Sequence, residues 1–503
     1  MSETIIFILI SILGNQTVTD LSLSEAIEIA LENNTSIKIE RENVEISTGE
    51  IKTQQGIFDP ILNINSFYSD SKIPTVSTFI PSGTINQEEF NISSGIEGEL
   101  PTGTFYNILN FSLSRTNTDS PIEDLSPNLF TSLRFSLGQE LLKDFGLETN
   151  LTPIITAKRN SDISRKELEV IISDTLLQVE TNYWVLVATK KNLELERTAL
   201  DLARDLQRRN EIQVEVGVLP PVAVTQAKAE VAARKVDVIR AENLLRASED
   251  ALKNLLAISL EKRISPTDEP KTEILLFDED EQLREALLKR PEVEQAKLNI
   301  ENKETLKKFF SNQRLPTLSV EGSVEIQGLG GDENPDRLSF GGEPEPIPDL
   351  FLGQGKSFRT LFDGDFPTWE IVGIFRFPLF NRTARGNYIK ANAELDRSLI
   401  ALKQVTDNVA LDIRNAIREI DNSIRRIEAA KVSVELAEQV VLNEEERLNV
   451  GIGTTREVLE AQRDSVDAQT QEILAVTDYN IALAALEKAR GTIISTNNIE
   501  LVE

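Results

Sequence analysis

Apolar residues return every seven positions along much of this chain. Ile413, Ile420, Ile427, Val434, Val441 and Leu448 hold one heptad position, and Val409, Ala416, Ser423, Ala430 and Ala437 hold its neighbour. Ala461, Ala468, Ala475, Ala482 and Ala489 continue the period later, and Val224, Val231, Val238, Leu245 and Leu252 show it earlier. Such spacing predicts coiled-coil seams, and the small residues in them let neighbouring helices approach closely. Ile417 and Ile424 add an apolar position on a further face. A helix with two apolar faces has partners on two sides, which builds a sheet or tube of helices.

Two helix-breaking segments interrupt these runs. In Arg447-Leu-Asn-Val-Gly-Ile-Gly-Thr-Thr-Arg-Glu-Val-Leu-Glu-Ala-Gln462, Gly451 and Gly453 are the only breakers, so the chain reverses there into an antiparallel helical hairpin. A weaker copy, Glu215-Val-Gly-Val-Leu-Pro-Pro-Val-Ala-Val-Thr-Gln-Ala-Lys228, lies about half a chain earlier, with Gly217 in the place of Gly451. The helix entering the first reversal extends from near Pro153 to Val216, a rod of about 90 Å.

The remaining segments also occur twice. A helix is expected from Leu23 to about Gln55, with Ser22 or Ser24 as N-cap. Strand-like alternation follows at Pro60–Tyr68, Phe90–Leu100, Thr104–Ser114 and Leu129–Leu137, with turns at Pro101-Thr-Gly103 and Asp119-Ser-Pro. At one common offset, Leu283–Val293 answers Ile27–Ile37, and Pro316–Gly322 answers Pro60–Ser66. A Gly/Pro/Asp-rich stretch from Gly328 to Pro367 exceeds ordinary loop lengths and is expected to be an external or disordered excursion. Trp369–Phe380 is the closing strand. The chain therefore divides into a first repeat over 21–264, with a β region at 58–140 and a tip near 217, and a second over 265–493, with a β region at 314–380 and a tip near 451. Residues 494–503 form a tail. Ile5–Leu13, within residues 1–20, suits an export signal, although Glu3 precedes it and no Lys, Arg or Ala-x-Ala accompanies it. The alternative is an apolar N-terminal helix.

Composition narrows the chemistry. The formal charge is −29, from 82 acidic and 53 basic residues, which argues against nucleic-acid binding. Neither Cys nor His occurs, so disulfides, thiolate metal sites, a Ser-His-Asp triad and a His base are excluded. An enzyme relying on carboxylates alone remains possible. No stretch is long and apolar enough for a transmembrane helix, so entry into a membrane would require a β-barrel. The β region, rich in Asn, Ser and Thr with one apolar face, fits either a soluble sandwich or a membrane barrel with a wet lumen.

These features together resemble the outer-membrane efflux protein family, the TolC-like channels, from about Leu21 to Arg490. The most specific pieces are Arg447-Leu-Asn-Val-Gly451 followed by Glu457-Val-Leu-Glu-Ala461, the copy at Val216-Gly217, and Phe377-Pro-Leu-Phe380 before the second long helix. Gly138-Gln-Glu-Leu-Leu142 is similar to the matching first-half join, with Glu140 where the family favours Pro. The resemblance implies an α+β membrane protein of the bacterial outer membrane. It implies a homotrimer in which each protomer gives four strands to one transmembrane β-barrel and its helices to a periplasmic tunnel. The strands of one protomer cannot close a barrel, and lipid forbids an open edge, which independently asks for shared closure. The extra strand pair around Pro101-Thr-Gly103 either joins that barrel or forms an external hairpin.

The function implied is passive conduction, without cofactor or metal, as the exit duct of a tripartite efflux pump or a type I secretion system. The implied partners are a periplasmic adaptor (membrane fusion) protein, an inner-membrane pump and outer-membrane lipid. By position, Val216, Gly217, Arg447, Leu448, Val450 and Gly451 are the adaptor-contact candidates, although a glycine there is also a plain helix C-cap. Glu457 and Glu460 match an acidic ring at the family's constriction, where crowding would raise carboxylate pKa values. The plain alternative is two acids in the first turn of a helix. The family's closed-state latch positions hold Gly453 and Ala223 here, leaving Arg456 as a substitute. The competing reading from another class is a soluble periplasmic or secreted coiled-coil scaffold.

Overall fold

A computed structural model describes residues 18–339, 341–342 and 345–499, so the apolar run Ile5–Leu13 lies outside the described residues. The chain forms two compact units. One comprises Ser47–Ser161 and Asn299–Ser398; the other takes the described parts of Met1–Ile46, Asp162–Leu298 and Leu399–Glu503. In chain order the elements are β1 (Thr19–Leu21), α1 (Leu23–Asn33), α2 (Thr35–Gln55), β2 (Ile61–Pro74), β3 (Thr84–Leu100), β4 (Thr104–Thr118), β5 (Leu125–Glu140), α3 (Leu147–Asn150), α4 (Thr152–Glu215) and α5 (Val222–Leu255). There follow β6 (Ile264–Pro266), α6 (Glu279–Lys289), α7 (Pro291–Asn312), β7 (Thr317–Glu333), α8 (Gly355–Asp363), β8 (Phe366–Arg376), α9 (Arg382–Asn449), α10 (Thr455–Arg490) and α11 (Ile493–Thr496).

The internal repeat is visible in these boundaries. Helices α1 and α6, α2 and α7, and strands β2 and β7 start at matching positions, all three pairs at the same offset. The helix expected from Leu23 to Gln55 is two helices, because Asn34 leaves the helical region with ψ 128. Its side-chain oxygen accepts the Ser36 N–H at 2.9 Å and caps the next helix. The second repeat breaks at the same place for a different reason: Arg290 precedes Pro291, whose ring disfavours helical backbone before it. Ser22, as expected, caps α1 in a capping box with Glu25.

The helical unit has two apolar cores. One joins Ala26, Ile27, Ala30 and Ile37 to Ile172, Leu176, Val179, Tyr183, Leu252 and Leu256. The other joins Ala286 and Val293 to Val409, Ile413, Ile420, Ile427, Ala475, Tyr479, Ala482 and Ala489, so the α9 and α10 heptads pack as the period predicts. The α5 seam is rotated. Val224, Val238 and Leu245 are only half-buried, while Ala223, Ala227, Glu230 and Arg234 lie inside beside Val231.

Beside the first core, Glu180 is buried with its carboxylate taking one hydrogen bond from Asn497 at 3.2 Å. Burial, with Glu487 nearby, pushes its pKa up to about 7. An acid raised in the folded state binds more protons there than in the unfolded chain. Stability is therefore fully present at acidic pH and is lost as pH rises towards 7, by on the order of 3 kcal/mol. Thermal melts between pH 5 and 8 should show this slope in the native protein and a flatter one in Glu180→Gln; parallel slopes would exclude it.

The strand unit contains one antiparallel sheet in the order β2-β3-β4-β5-β7-β8. The extra strand pair β3–β4 belongs to this sheet and lies between β2 and β5. Each strand runs longer than its alternating core suggested, because the polar ends still pair. One row across the sheet reads Ile64, Ser94, Phe111, Leu133, Ile326 and Pro367. The adjacent row, on the opposite face, reads Asn65, Ser93, Ser112, Ser132, Gln327 and Phe366. One face is mainly apolar across all six strands and the other mainly polar.

The expected excursion from Gly328 to Pro367 is corrected in part. Its first residues belong to β7, and α8 lies against the apolar face of β5 and β7. A Cβ on Gly328 would overlap the Ser357 carbonyl oxygen, and one on Gly330 would come within 2.5 Å of the Ser357 nitrogen. The glycines that read as loop punctuation instead clear a seat for a helix backbone. Thr131 completes it, its hydroxyl 2.8 Å from that of Ser357.

Candidate gate and docking site at the paired hairpin tips

Both reversals use one hydrogen-bond pattern. At the first, the N–H groups of Val216, Gly217, Val218 and Leu219 donate to the carbonyls of Ile212, Val214, Gln213 and Gln213. At the second, Val450, Gly451, Ile452 and Gly453 donate to Glu446, Leu448, Arg447 and Arg447. The four bonds correspond one for one when Gly217 is set on Gly451. Each set is a Schellman ending, whose last helical carbonyls need a left-handed residue. Gly217 has φ 83 and Gly451 φ 81, where a Cβ costs about 1–2 kcal/mol.

The apexes are bare and apolar. Val216 and Val218 are each 66% exposed, Val450 70% and Ile452 72%. Val218 and Ile452 were not singled out from the sequence, although they too pair in the same alignment. Leu448 sits differently from its neighbours: it is 8% exposed and packs with Leu206, Val458 and Leu459 beneath the second tip. Arg447 lies at the surface, donating to Glu444 at 2.7 Å and standing 4.0 Å from Glu457.

Glu457 is the N3 residue of a capping box. Its Oε2 accepts the Thr454 N–H at 2.7 Å, and its own N–H donates to the Thr454 hydroxyl. That backbone bond, then the Thr454 hydroxyl, then Arg447 hold its pKa below the ordinary carboxylate range. Within one chain the shift is opposite to the one expected from crowded acids. Glu460 and Arg456 lie exposed on the same helix.

Three ties connect the hairpins below the apexes. Asn210 on α4, fully buried, donates to the Thr455 hydroxyl at the start of α10 at 3.2 Å. Arg463 on α10 pairs with Glu230 on α5 at 2.7 Å, and Arg209 on α4 lies 3.6 Å from Glu445 on α9. Glu230 is also held by Arg234 at 2.9 Å, and Arg234 stands 3.8 Å from Glu196. Neither Gly453 nor Ala223 has a side chain that could form a polar latch, and Arg456 takes no part in these ties. The sequence signal for Glu230 and Arg234 is their i,i+4 spacing.

The model of the outer membrane efflux protein family matches residues 108–257 and 282–492, one match in each repeat. This chain belongs to that family. It is an outer-membrane efflux channel built from two repeats, and the family is one of transport ducts, not enzymes. The outer membrane protein TolC of Vibrio cholerae is 22% identical over 351 residues, covering 67% of this chain and 72% of TolC. The outer-membrane channel CmeC of Campylobacter jejuni superposes with a TM-score of 0.67 at 17% identity, over 95% of this chain and 90% of CmeC. The open-state channel MtrE of Neisseria gonorrhoeae gives 0.63 at 17% identity, over 94% of this chain and 89% of MtrE.

Proposed function

We propose that three copies of this efflux-family chain form the exit duct of a tripartite efflux pump or type I secretion system. The observation that carries it is the six-stranded sheet, apolar on one face and polar on the other, with β2 and β8 as open edges. Leu62, Ile64, Trp369, Ile371 and Phe375 stand exposed on the apolar face. A soluble scaffold would not present such a patch, whereas lipid would cover it, provided neighbouring copies closed both edges. The helical unit has its own uncovered faces, with Ile400, Leu411, Val432, Leu436 and Val440 on α9 and Val236, Ile239 and Leu244 on α5. A second copy of the chain is the occupant that fits them, since the seams that pack within the chain have the same heptad period.

The tips then form the periplasmic mouth. Val216, Val218, Val450 and Ile452, held out by Gly217 and Gly451, offer an adaptor protein paired apolar knobs, with Arg447 beside them. Leu448 supports this surface from below. Glu460 and Glu457 contribute carboxylates at the mouth, favouring cations over anions, and Arg456 is free to meet a neighbouring protomer. The ties Asn210–Thr455 and Glu230–Arg463 hold the hairpins together in the closed mouth. Purified protein should require detergent, run at three times the chain mass and carry ion current across planar bilayers. A monomer soluble in plain buffer, with no current, would sink this reading.

A further inference from the structure

We infer that the β3–β4 hairpin is barrel wall, so that three copies close an eighteen-stranded barrel through β2-to-β8 contact with the next copy. This rests on the trimeric duct proposed above. The hairpin continues both faces of the sheet. Phe90, Ile92 and Ile96 on β3 and Ile108, Phe111 and Leu113 on β4 extend the apolar face, while Asn91, Ser93, Ser112 and Ser114 extend the polar one. The apolar zone ends level on β2 and β3, at Tyr68 and Phe90 with Asp70 paired to Glu88 beyond, and one row earlier on β4, where Arg115 pairs with Phe90. Phe111 stacks on Phe358 of α8 with ring centroids 6.4 Å apart, which accounts for that side chain. An external hairpin standing in water has no reason to keep the rest of the face apolar in register with its neighbours, whereas a lipid-facing strand must.

The insertion is also cleanly modular. Ile64 is linked through Ser94 and Phe111 to Leu133, so removing β3 and β4 would bring β2 against β5, antiparallel, with apolar side chains still sharing a face. Its effect is on bore. With strands about 4.8 Å apart and tilted about 40°, eighteen strands enclose a ring about 36 Å across between backbones, against about 24 Å for twelve. The outer portal is thereby about 1.5 times wider. On the polar face, Glu89 and Glu97 from the insert join Glu321, Glu325 and Glu370, with Arg134 paired to Glu370. The widened portal is a large, acidic, water-filled exit.

The chain has no cysteine, so single cysteines report without background. In reconstituted trimers, a charged, membrane-impermeant thiol reagent should modify Ser93→Cys and Ser112→Cys at least tenfold faster than Ile92→Cys and Leu113→Cys. Equal rates at all four would place the hairpin in water and overturn the inference. Images of the full-length trimer should show the wider ring, and a variant lacking residues 84–119 should show a ring about two-thirds as wide. A trimer whose ring matches that of the shortened variant overturns the eighteen-stranded barrel alone. A full-length chain that is monomeric overturns it together with the trimeric duct.

Discussion

Gly451→Pro should abolish capture of the adaptor and inner-membrane components and reduce export to background, while the chain still extracts with detergent at its native mass. Proline locks φ at about −65°. Gly451 sits at φ 81, on the opposite side of the backbone map. The substitution also removes the N–H that donates to the Leu448 carbonyl at 3.1 Å, and drives Val450 out of helical backbone. The Schellman ending would unravel and the knobs Val450 and Ile452 would lose their position. The damage is confined to the apex, because the Leu206–Leu448–Val458–Leu459 cluster lies below it. Gly451→Ala, which keeps the N–H and costs about 1–2 kcal/mol, should reduce capture only partly. Co-purification of every partner with Gly451→Pro would remove the tip from docking altogether.

Arg463→Glu should raise the mean conductance of single channels in planar bilayers several-fold, by weakening the closed mouth. Arg463 donates to a carboxylate that is otherwise buried, and the reversal sets two acids against each other across the hairpins. Arg234 still pairs with Glu230, so the protein should fold. Loss of about 1.4 kcal/mol from the closed state shifts a closed-to-open ratio tenfold. Thr455→Val, which cuts the bond from Asn210, should add to the effect. If both single variants conduct as the native channel does, the ties are packing features and the gate lies elsewhere.

Much of the architecture could be read from local pattern. The Ile413 and Ala461 heptads, the breakers at Gly217 and Gly451 and the doubled strand regions all depend on neighbours within a few residues, where period and backbone conformation leave little choice. The repeat was legible from Ile27 and Leu283 onward, while the cap before the first helix stayed open between Ser22 and Ser24. Long-range contacts were not. Asn34 and Arg290 end matching helices by different chemistry, and only the second has a proline to announce it. Gly328 and Gly330 look like loop residues until α8 is laid across them.

The candidate site divides the same way. Equivalent tips at Gly217 and Gly451 follow from sequence, because a left-handed glycine between two heptad runs has one structural use. That Leu448 turns inward while Val450 stands out depends on where α4 and α10 pack, which no local pattern states. Asn210, Thr455, Glu230 and Arg463 are ordinary polar residues in sequence. They become ties only because the hairpins bring positions far apart in the chain within hydrogen-bond reach. Heptads and turns determine which helices and strands exist, since their energies are local. Which faces meet, which glycines make room and how many strands share a sheet are decided by packing between distant segments, and that is a property of the folded chain alone.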